Sequence, residues 1–202
     1  MPPQPRHQDP VDRALRLRSG FRESASNFGA VRAVAAAGVP EPYRSLLDHQ
    51  SHMTVAMERF FGGPVGLRVV ASREEPTAAA DGRGWYGREI LLDVEDGRVV
   101  QYGIVRIDLR RVSADAAAAI REARVPLGRI LIAEGMLRDV HDVGLLEVVP
   151  GAELRSLFGA TPSAAEGSQT TYGRVAEISL DGVPAVELLE IAAPGLLPKA
   201  LR

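Results

Sequence analysis

Two Asp-Gly pairs, Asp96-Gly97 and Asp181-Gly182, constrain the fold of this 202-residue chain more than any other feature. Asp-Gly favours the tight turn that joins two antiparallel strands, because that turn needs positive φ angles at its centre. Runs of β-branched, aromatic and other apolar residues flank each pair, at residues 86–94, 99–109, 172–180 and 183–191. The sequence therefore predicts two β-hairpins.

Further segments add strands and helices around these hairpins. Apolar runs predict strands over residues 65–73 and 140–149. Helix signals predict short helices over residues 42–47, 53–61, 113–123 and 129–134. Six strands with hairpin connections and helices inserted between them are typical of an α+β fold. We therefore predict a six-stranded antiparallel sheet with helices packed on it.

The start of the chain differs from the rest in composition. Residues 1–39 begin with many Pro, Arg, Gln and Ser residues and few large apolar ones, which predicts a flexible or partly helical N-terminal extension. Short helices are expected near residues 11–17 and 28–37. Residues 40–202 form the predicted folded domain, with polar loops over 74–84 and 158–171.

Composition also limits the classes of function. The net charge of −2 gives no argument for a nucleic-acid or membrane partner, and no apolar run reaches the roughly 20 residues of a membrane span. The chain contains no Cys, which excludes a disulfide framework, a thiol nucleophile and a Cys-ligated metal. We expect a cytoplasmic protein, either a monomer or a homodimer.

One predicted strand carries an arginine on its apolar face. Because side chains alternate along a strand, Arg88 shares a face with Tyr86, Ile90 and Leu92 and should point into the interior. A buried guanidinium without an anionic partner costs several kcal/mol. Its partner could be a carboxylate of the protein or the carboxylate of a ligand, and the spacing alone supports both interpretations equally.

Other polar residues could complete a site around Arg88. Arg174 also lies on an apolar strand face, and Leu127 and Gly128 stand just before a short helix whose unpaired N–H groups could hold a carboxylate. Glu187 and Glu190 lie on opposite faces of the last strand, so one of them faces the core unless a bulge intervenes. A small apolar cavity with one arginine and one glutamate would suit a compact anion.

Several other chemistries lack a motif. His49 and His52 are three residues apart, but two histidines do not fill a metal coordination shell, so we expect solvent-facing histidines and no metal site. The sequence contains no G-x-S-x-G elbow, no P-loop and no G-x-G-x-x-G fingerprint. No nucleotide or other cofactor is predicted.

An ordered set of motifs resembles the chorismate lyases, also called 4-hydroxybenzoate synthases. The set comprises Ser51-His52-Met53-Thr54 with Glu58-Arg59, then Tyr86-Gly87-Arg88-Glu89-Ile90-Leu91-Leu92, then Pro126-Leu127-Gly128-Arg129-Ile130-Leu131, then Tyr172-Gly173-Arg174, then Glu190 four residues before Pro194. The resemblance covers about residues 40–194. It implies a six-stranded antiparallel sheet and a cofactor-free carbon–oxygen lyase that splits chorismate into 4-hydroxybenzoate and pyruvate.

The resemblance also implies roles for individual residues. Arg88 would pair with the ring carboxylate and act in catalysis with Glu190, which would lie near the hydroxyl of the aromatic product. The implied binding residues for a small aromatic or cyclohexadiene carboxylate are Met53, Thr54, Arg88, Leu127, Gly128, Arg174 and Glu190. Counted from Pro184, Glu190 stands one residue later than the family pattern, which leaves a bulge or a role for Glu187 open.

Two other functions compete with the lyase. Effector-binding domains of some bacterial transcription regulators share the implied fold and bind small ligands without catalysis, although about 40 Pro-rich residues would not supply the winged helix-turn-helix that normally precedes them. A catalytically silent partner subunit is a further alternative. A family relative that acts on another acid in specialised metabolism is also an alternative.

Overall fold

The computed structural model describes residues 9–21, 27–75, 83–135, 138–159 and 170–197. The strands are β1 Gly29–Ala33, β2 Gly66–Glu74, β3 Trp85–Asp93, β4 Val99–Asp108, β5 Arg138–Pro150, β6 Thr171–Leu180 and β7 Val183–Ala192. The α-helices are α1 Pro10–Ser19, α2 Tyr43–Leu47, α3 Met53–Phe61, α4 Ala114–Glu122, α5 Leu127–Ala133 and α6 Ala152–Leu157. Short 3-10 turns occur at Ala36–Gly38 and Leu109–Arg111.

The seven strands form one antiparallel sheet in the order β1-β5-β6-β7-β4-β3-β2. Both predicted hairpins are present. In the second, Leu180 pairs with Val183 and the turn residues Asp181 and Gly182 have φ angles of 49° and 79°. The predicted class, an α+β fold with an antiparallel sheet, is confirmed, with seven strands in place of six.

The additional strand replaces the helix expected over residues 28–37. Gly29–Ala33 pairs with the last part of β5, where Val31 lies opposite Val148. The long strand β5 offers an edge that satisfies the backbone of this segment, and that tertiary contact overrides its local preference. Part of the segment assigned to an N-terminal extension therefore belongs to the sheet.

Helices cover both faces of the sheet. One face packs against α2, α3, α4 and α5, and its strand residues include Arg88, Ile90 and Leu188. The opposite face packs against α1 and α6, and buries Tyr102, Ile104 and Leu189. The sheet face that holds Arg88 is therefore covered by these four short helices.

Helix α1 confirms the short helix expected near residues 11–17, but it is not loosely attached. Asp9 caps it by accepting a hydrogen bond from the Val11 N–H at 2.8 Å, and Ala14 and Leu17 are buried against the sheet. Residues 1–8 and 22–26 of the predicted extension lie outside the described residues, as do 76–82 and 160–169 of the two predicted loops. None of the helices in the described ranges is long and apolar enough to cross a membrane.

Candidate functional site

A small cavity of about 40 Å³ lies between the sheet and the first turns of α3 and α5. The sequence-predicted site residues all line it: Met53, Thr54, Arg88, Leu127, Gly128, Arg174 and Glu190. The sequence placed Leu127 and Gly128 just before a helix, but in the structure they form the first turn of α5, because this helix begins directly after Pro126. Predicted residues from two helices and three strands thus converge on one enclosed space.

The strand register explains why the polar residues meet. Two neighbouring rows of side chains cross the helix-covered face of β3, β4, β7 and β6. Their members are Arg88, Val105, Leu188 and Ala176 in one row, and Ile90, Gly103, Glu190 and Arg174 in the other. Gly103 has no side chain, and a Cβ atom built there would lie 3.3 Å from Ile90 Cγ1 and 3.5 Å from Gln101 Nε2, so neighbouring side chains lean over it.

Each guanidinium nitrogen of Arg174 has a hydrogen-bond partner. Its Nε donates to Glu190 Oε2 at 2.7 Å, and its remaining N–H groups donate to backbone carbonyls of the 47–51 segment, with distances of 2.7 Å to His49 O and 3.1 Å to Ser51 O. The side chain is fully buried, and Glu190 is 7% exposed. This ion pair is therefore structural, and it ties the segment before α3 to the sheet.

Arg88 is in the opposite situation. It is 1% exposed, and its Nη2 makes one long contact of 3.5 Å with the Val125 carbonyl. Its Nε and Nη1 are buried without a hydrogen-bond partner among the described residues. Burial lowers the pKa of the Arg88 guanidinium, because the charged form loses its hydration. The sequence left open an ion pair between Arg88 and a glutamate of β7. Such a pair exists in the structure, but its arginine is Arg174.

The two glutamates of β7 lie on opposite faces, as strand alternation requires. Glu190 lines the cavity, whereas Glu187 accepts hydrogen bonds from Arg16 and Arg106 at 2.7 Å each on the other face. The register between β6 and β7 shifts between Ile178 and Ser179, so β7 carries one extra residue just after Pro184. This bulge accounts for the one-residue offset of Glu190 counted from Pro184.

Sequence reasoning missed a further polar residue, Gln101 on β4. It lines the cavity, it is 2% exposed, and its Oε1 is buried without a partner in the part of the chain that is described. The signal was available, because Gln101 shares with Gly103 and Val105 the sheet face that also holds Arg88. Within a strand that is otherwise nearly all apolar on that face, a glutamine indicates a polar contact.

The first turns of α3 and α5 close the cavity. A Cβ atom added to Gly128 would lie 3.2 Å from the Cβ and Cγ atoms of His52, so the two segments touch. Arg129 of α5 also forms an ion pair with Glu58 of α3. Arg88 is therefore covered by protein on the helical side.

His49 and His52 were expected to face solvent, but His52 lines the cavity and His49 contacts Arg174. His49 and His52 are both half-buried, and burial lowers the pKa of each imidazole. His49 Nδ1 accepts hydrogen bonds from the Ser51 N–H at 3.1 Å and from Arg174 Nη1 at 3.2 Å, which fixes the neutral tautomer with its proton on Nε2. Within the described ranges, the group with a spacing suited to a metal is a different one, His141, Asp142 and Glu177.

That group is already engaged in protein contacts. His141 contacts Asp142 through Nδ1 at 3.1 Å and Ser179 through Nε2 at 2.8 Å, and Arg13 lies 3.5 Å from Glu177. Both imidazole nitrogens are therefore used within the protein.

No protein-family model and no curated protein matches the chain. Among solved structures, the effector domain of PhnF from Mycobacterium smegmatis shares 18% identity at a TM-score of 0.47, over 72% of this chain and 89% of that domain. A second PhnF structure from Mycobacterium smegmatis shares 18% identity at a TM-score of 0.46, over 73% of this chain and 65% of that protein. This chain therefore spans about two thirds of the length of that PhnF chain. The C-terminal domain of the histidine utilization repressor from Pseudomonas syringae pv. tomato shares 12% identity at a TM-score of 0.45, over 65% of this chain and 92% of that domain.

These comparisons correct the expected activity. The matched structures are named as an effector domain and the C-terminal domain of a repressor, and not as lyases; the prediction of a chorismate-splitting enzyme is wrong. The comparisons likewise give no support to the exclusion of a nucleic-acid partner. The structure itself establishes an α+β fold, a seven-stranded antiparallel sheet with helices on both faces and a small cavity on one of them.

Proposed function

We propose that this chain is a non-catalytic domain that binds a small carboxylate in the cavity, with Arg88 as the main anchor. The observation that carries the proposal is the buried Arg88 guanidinium, whose Nε and Nη1 lack a partner among the described residues. Arginine remains charged in proteins, so an anion that reaches this side chain gains charge-assisted hydrogen bonds in a site shielded from water.

The charges around the cavity indicate a monoanion. Arg174 is neutralised by Glu190 at 2.7 Å, which leaves Arg88 as the uncompensated cation of the lining. A singly charged carboxylate would balance it, and the planar fork of a guanidinium matches the two oxygens of a carboxylate. A phosphate dianion would instead bring a second negative charge close to Glu190.

The size of the cavity favours a compact ligand. About 40 Å³ exceeds what one water needs but is far below the roughly 300 Å³ of pockets for drug-sized molecules. Apolar residues such as Ile90, Leu92 and Leu188 form much of its lining, so the body of the ligand should be apolar. A ring-sized acid would need the first turns of α3 and α5 to separate.

The use of Glu190 within the protein supports binding without turnover. Glu190 accepts a hydrogen bond from Arg174 Nε and is held beside four other contacts of that arginine. Glu190 is therefore engaged as the partner of a buried cation before any ligand arrives.

Binding of simple acids tests the proposal. Titration calorimetry with acetate, propionate and benzoate should detect binding, whereas the matched amides acetamide and benzamide should not bind, since they carry no charge. Arg88→Lys should weaken binding strongly, because an ammonium cannot make the two parallel hydrogen bonds of a guanidinium. Glu187→Gln, on the opposite face, is the matched control and should bind as the unmodified protein does. Unchanged acid binding by Arg88→Met would overturn the proposal.

A further inference from the structure

The cavity contains a second unsatisfied group, and it lies at a different place from Arg88. Gln101 is 2% exposed, and its Oε1 has no hydrogen-bond partner in the described part of the chain. Buried amide groups in proteins are nearly always hydrogen-bonded, and those that are not call for a ligand, a water or another explanation. Since Gln101 lines the same cavity as Arg88, one ligand can meet both side chains.

The sheet register places Gln101 two rows away from Arg88. Gln101 lies opposite Leu92 on β3, four residues after Arg88, so the two Cα rows are about 13 Å apart along the strand direction. Gly103 occupies the row between them. A Cβ atom built on Gly103 would be 3.5 Å from Gln101 Nε2, so the amide leans over this glycine toward the centre of the cavity. Two long polar side chains therefore approach the ligand from opposite ends.

We infer that Gln101 selects carboxylates that carry an uncharged hydrogen-bonding group, such as a hydroxyl, at the end remote from the carboxylate. This inference rests on the proposed function and adds the class of ligand. The amide of Gln101 offers both a donor and an acceptor, and a hydroxyl can meet either of them. An ammonium group fits poorly, because the lining already carries the uncompensated charge of Arg88 beside the neutralised pair of Arg174 and Glu190.

Matched pairs of acids test this selectivity. Calorimetric titrations compare propionate with 3-hydroxypropionate, and benzoate with 4-hydroxybenzoate, in the unmodified protein and in Gln101→Met, which keeps the length of the side chain without its amide. The hydroxylated member of at least one pair should bind about tenfold more tightly to the unmodified protein, because a site built to hydrogen-bond a hydroxyl penalises the analogue that lacks it. In Gln101→Met that ratio should fall to about one, while the affinity for the plain acid is retained.

The controls separate this inference from the proposal on which it rests. Gln50→Met alters an exposed glutamine and should leave the ratio unchanged. A ratio near one in the unmodified protein, or an unchanged ratio in Gln101→Met, would overturn the selection by Gln101 while acid binding through Arg88 stands. If no acid binds the unmodified protein, the proposed function itself fails. The ratio in the unmodified protein decides the matter even if Gln101→Met does not fold.

Discussion

Replacing Arg88 by methionine should make the protein more stable, although it removes the main contact to the proposed ligand. Arg88→Met keeps an unbranched side chain and removes the charge together with two buried donor nitrogens that lack partners among the described residues. Each such group costs about 1–3 kcal/mol, so the free energy of unfolding should rise by about 2 kcal/mol or more. For a chain of this size that corresponds to an increase in Tm of roughly 4–8 °C.

Arg174→Met is the matched control, because Arg174 is also a buried arginine on the same face of the sheet. It donates to Glu190 and to carbonyls of the 47–51 segment, so its loss leaves a buried carboxylate without a cation. Breaking a buried pair in this way costs about 3–5 kcal/mol. Tm should therefore fall by roughly 6–20 °C, the opposite sign to Arg88→Met.

Thermal unfolding followed by circular dichroism measures both variants, with and without benzoate at about 100 times its Kd. The acid should stabilise the unmodified protein by about 2.7 kcal/mol and should have no effect on Arg88→Met. A lower Tm for Arg88→Met in the absence of ligand would refute the reasoning, since it would mean that Arg88 already has favourable contacts in the folded protein.

Three further predictions concern other parts of the chain. The pKa of His49 is lowered below its ordinary value of 6.5, chiefly by burial and then by Arg174, so the unfolded chain binds more protons in acid than the folded protein does. Tm should therefore fall as the pH drops below about 6.5. The variant His49→Gln should show a smaller fall in Tm over the same pH range. Leu17 is 5% exposed, so Leu17→Ala should lower the free energy of unfolding, measured by urea denaturation, by about 2–5 kcal/mol. Leu15 is 43% exposed, so Leu15→Ala should lower it only slightly. Equal effects of the two variants would contradict the packing of α1 on the sheet. Glu187→Gln should lower the unfolding free energy by about 1 kcal/mol or less in the same assay, since the carboxylate meets Arg16 and Arg106 on a partly exposed surface; a larger loss would show a stronger pair than expected.

Strand alternation and the Asp-Gly turns located much of the sheet and the direction of Arg88 from the sequence alone. These signals are local, because a turn fixes its two strands and each strand fixes the faces of its own side chains. The same rule placed Glu187 and Glu190 on opposite faces. It could not choose between them, because the bulge after Pro184 depends on how β7 meets β6.

The features that escaped prediction depend on contacts distant in sequence. Gly29–Ala33 is a strand because β5, which pairs with β6 along one side, offers its other side to this segment. The pairing of Arg174 with Glu190 was missed because counting outward from the Asp181-Gly182 turn places Arg174 opposite residue 189, until the extra residue in β7 shifts the register to Glu190. Strand alternation places Gln101 on the face of Arg88, but its lack of a hydrogen-bond partner among the described residues depends on residues distant in sequence.

We expect the contact between α3 and α5 to set how quickly a ligand can reach Arg88. The guanidinium is 1% exposed, His52 and Gly128 lie close together, and Arg129 pairs with Glu58, so the first turns of these helices would have to separate to admit a ligand. Association should then follow a slow opening step, and its observed rate should reach a plateau at high ligand concentration, in place of a linear rise. The same barrier retards release, so an acid of modest affinity would remain bound for far longer than its Kd alone suggests.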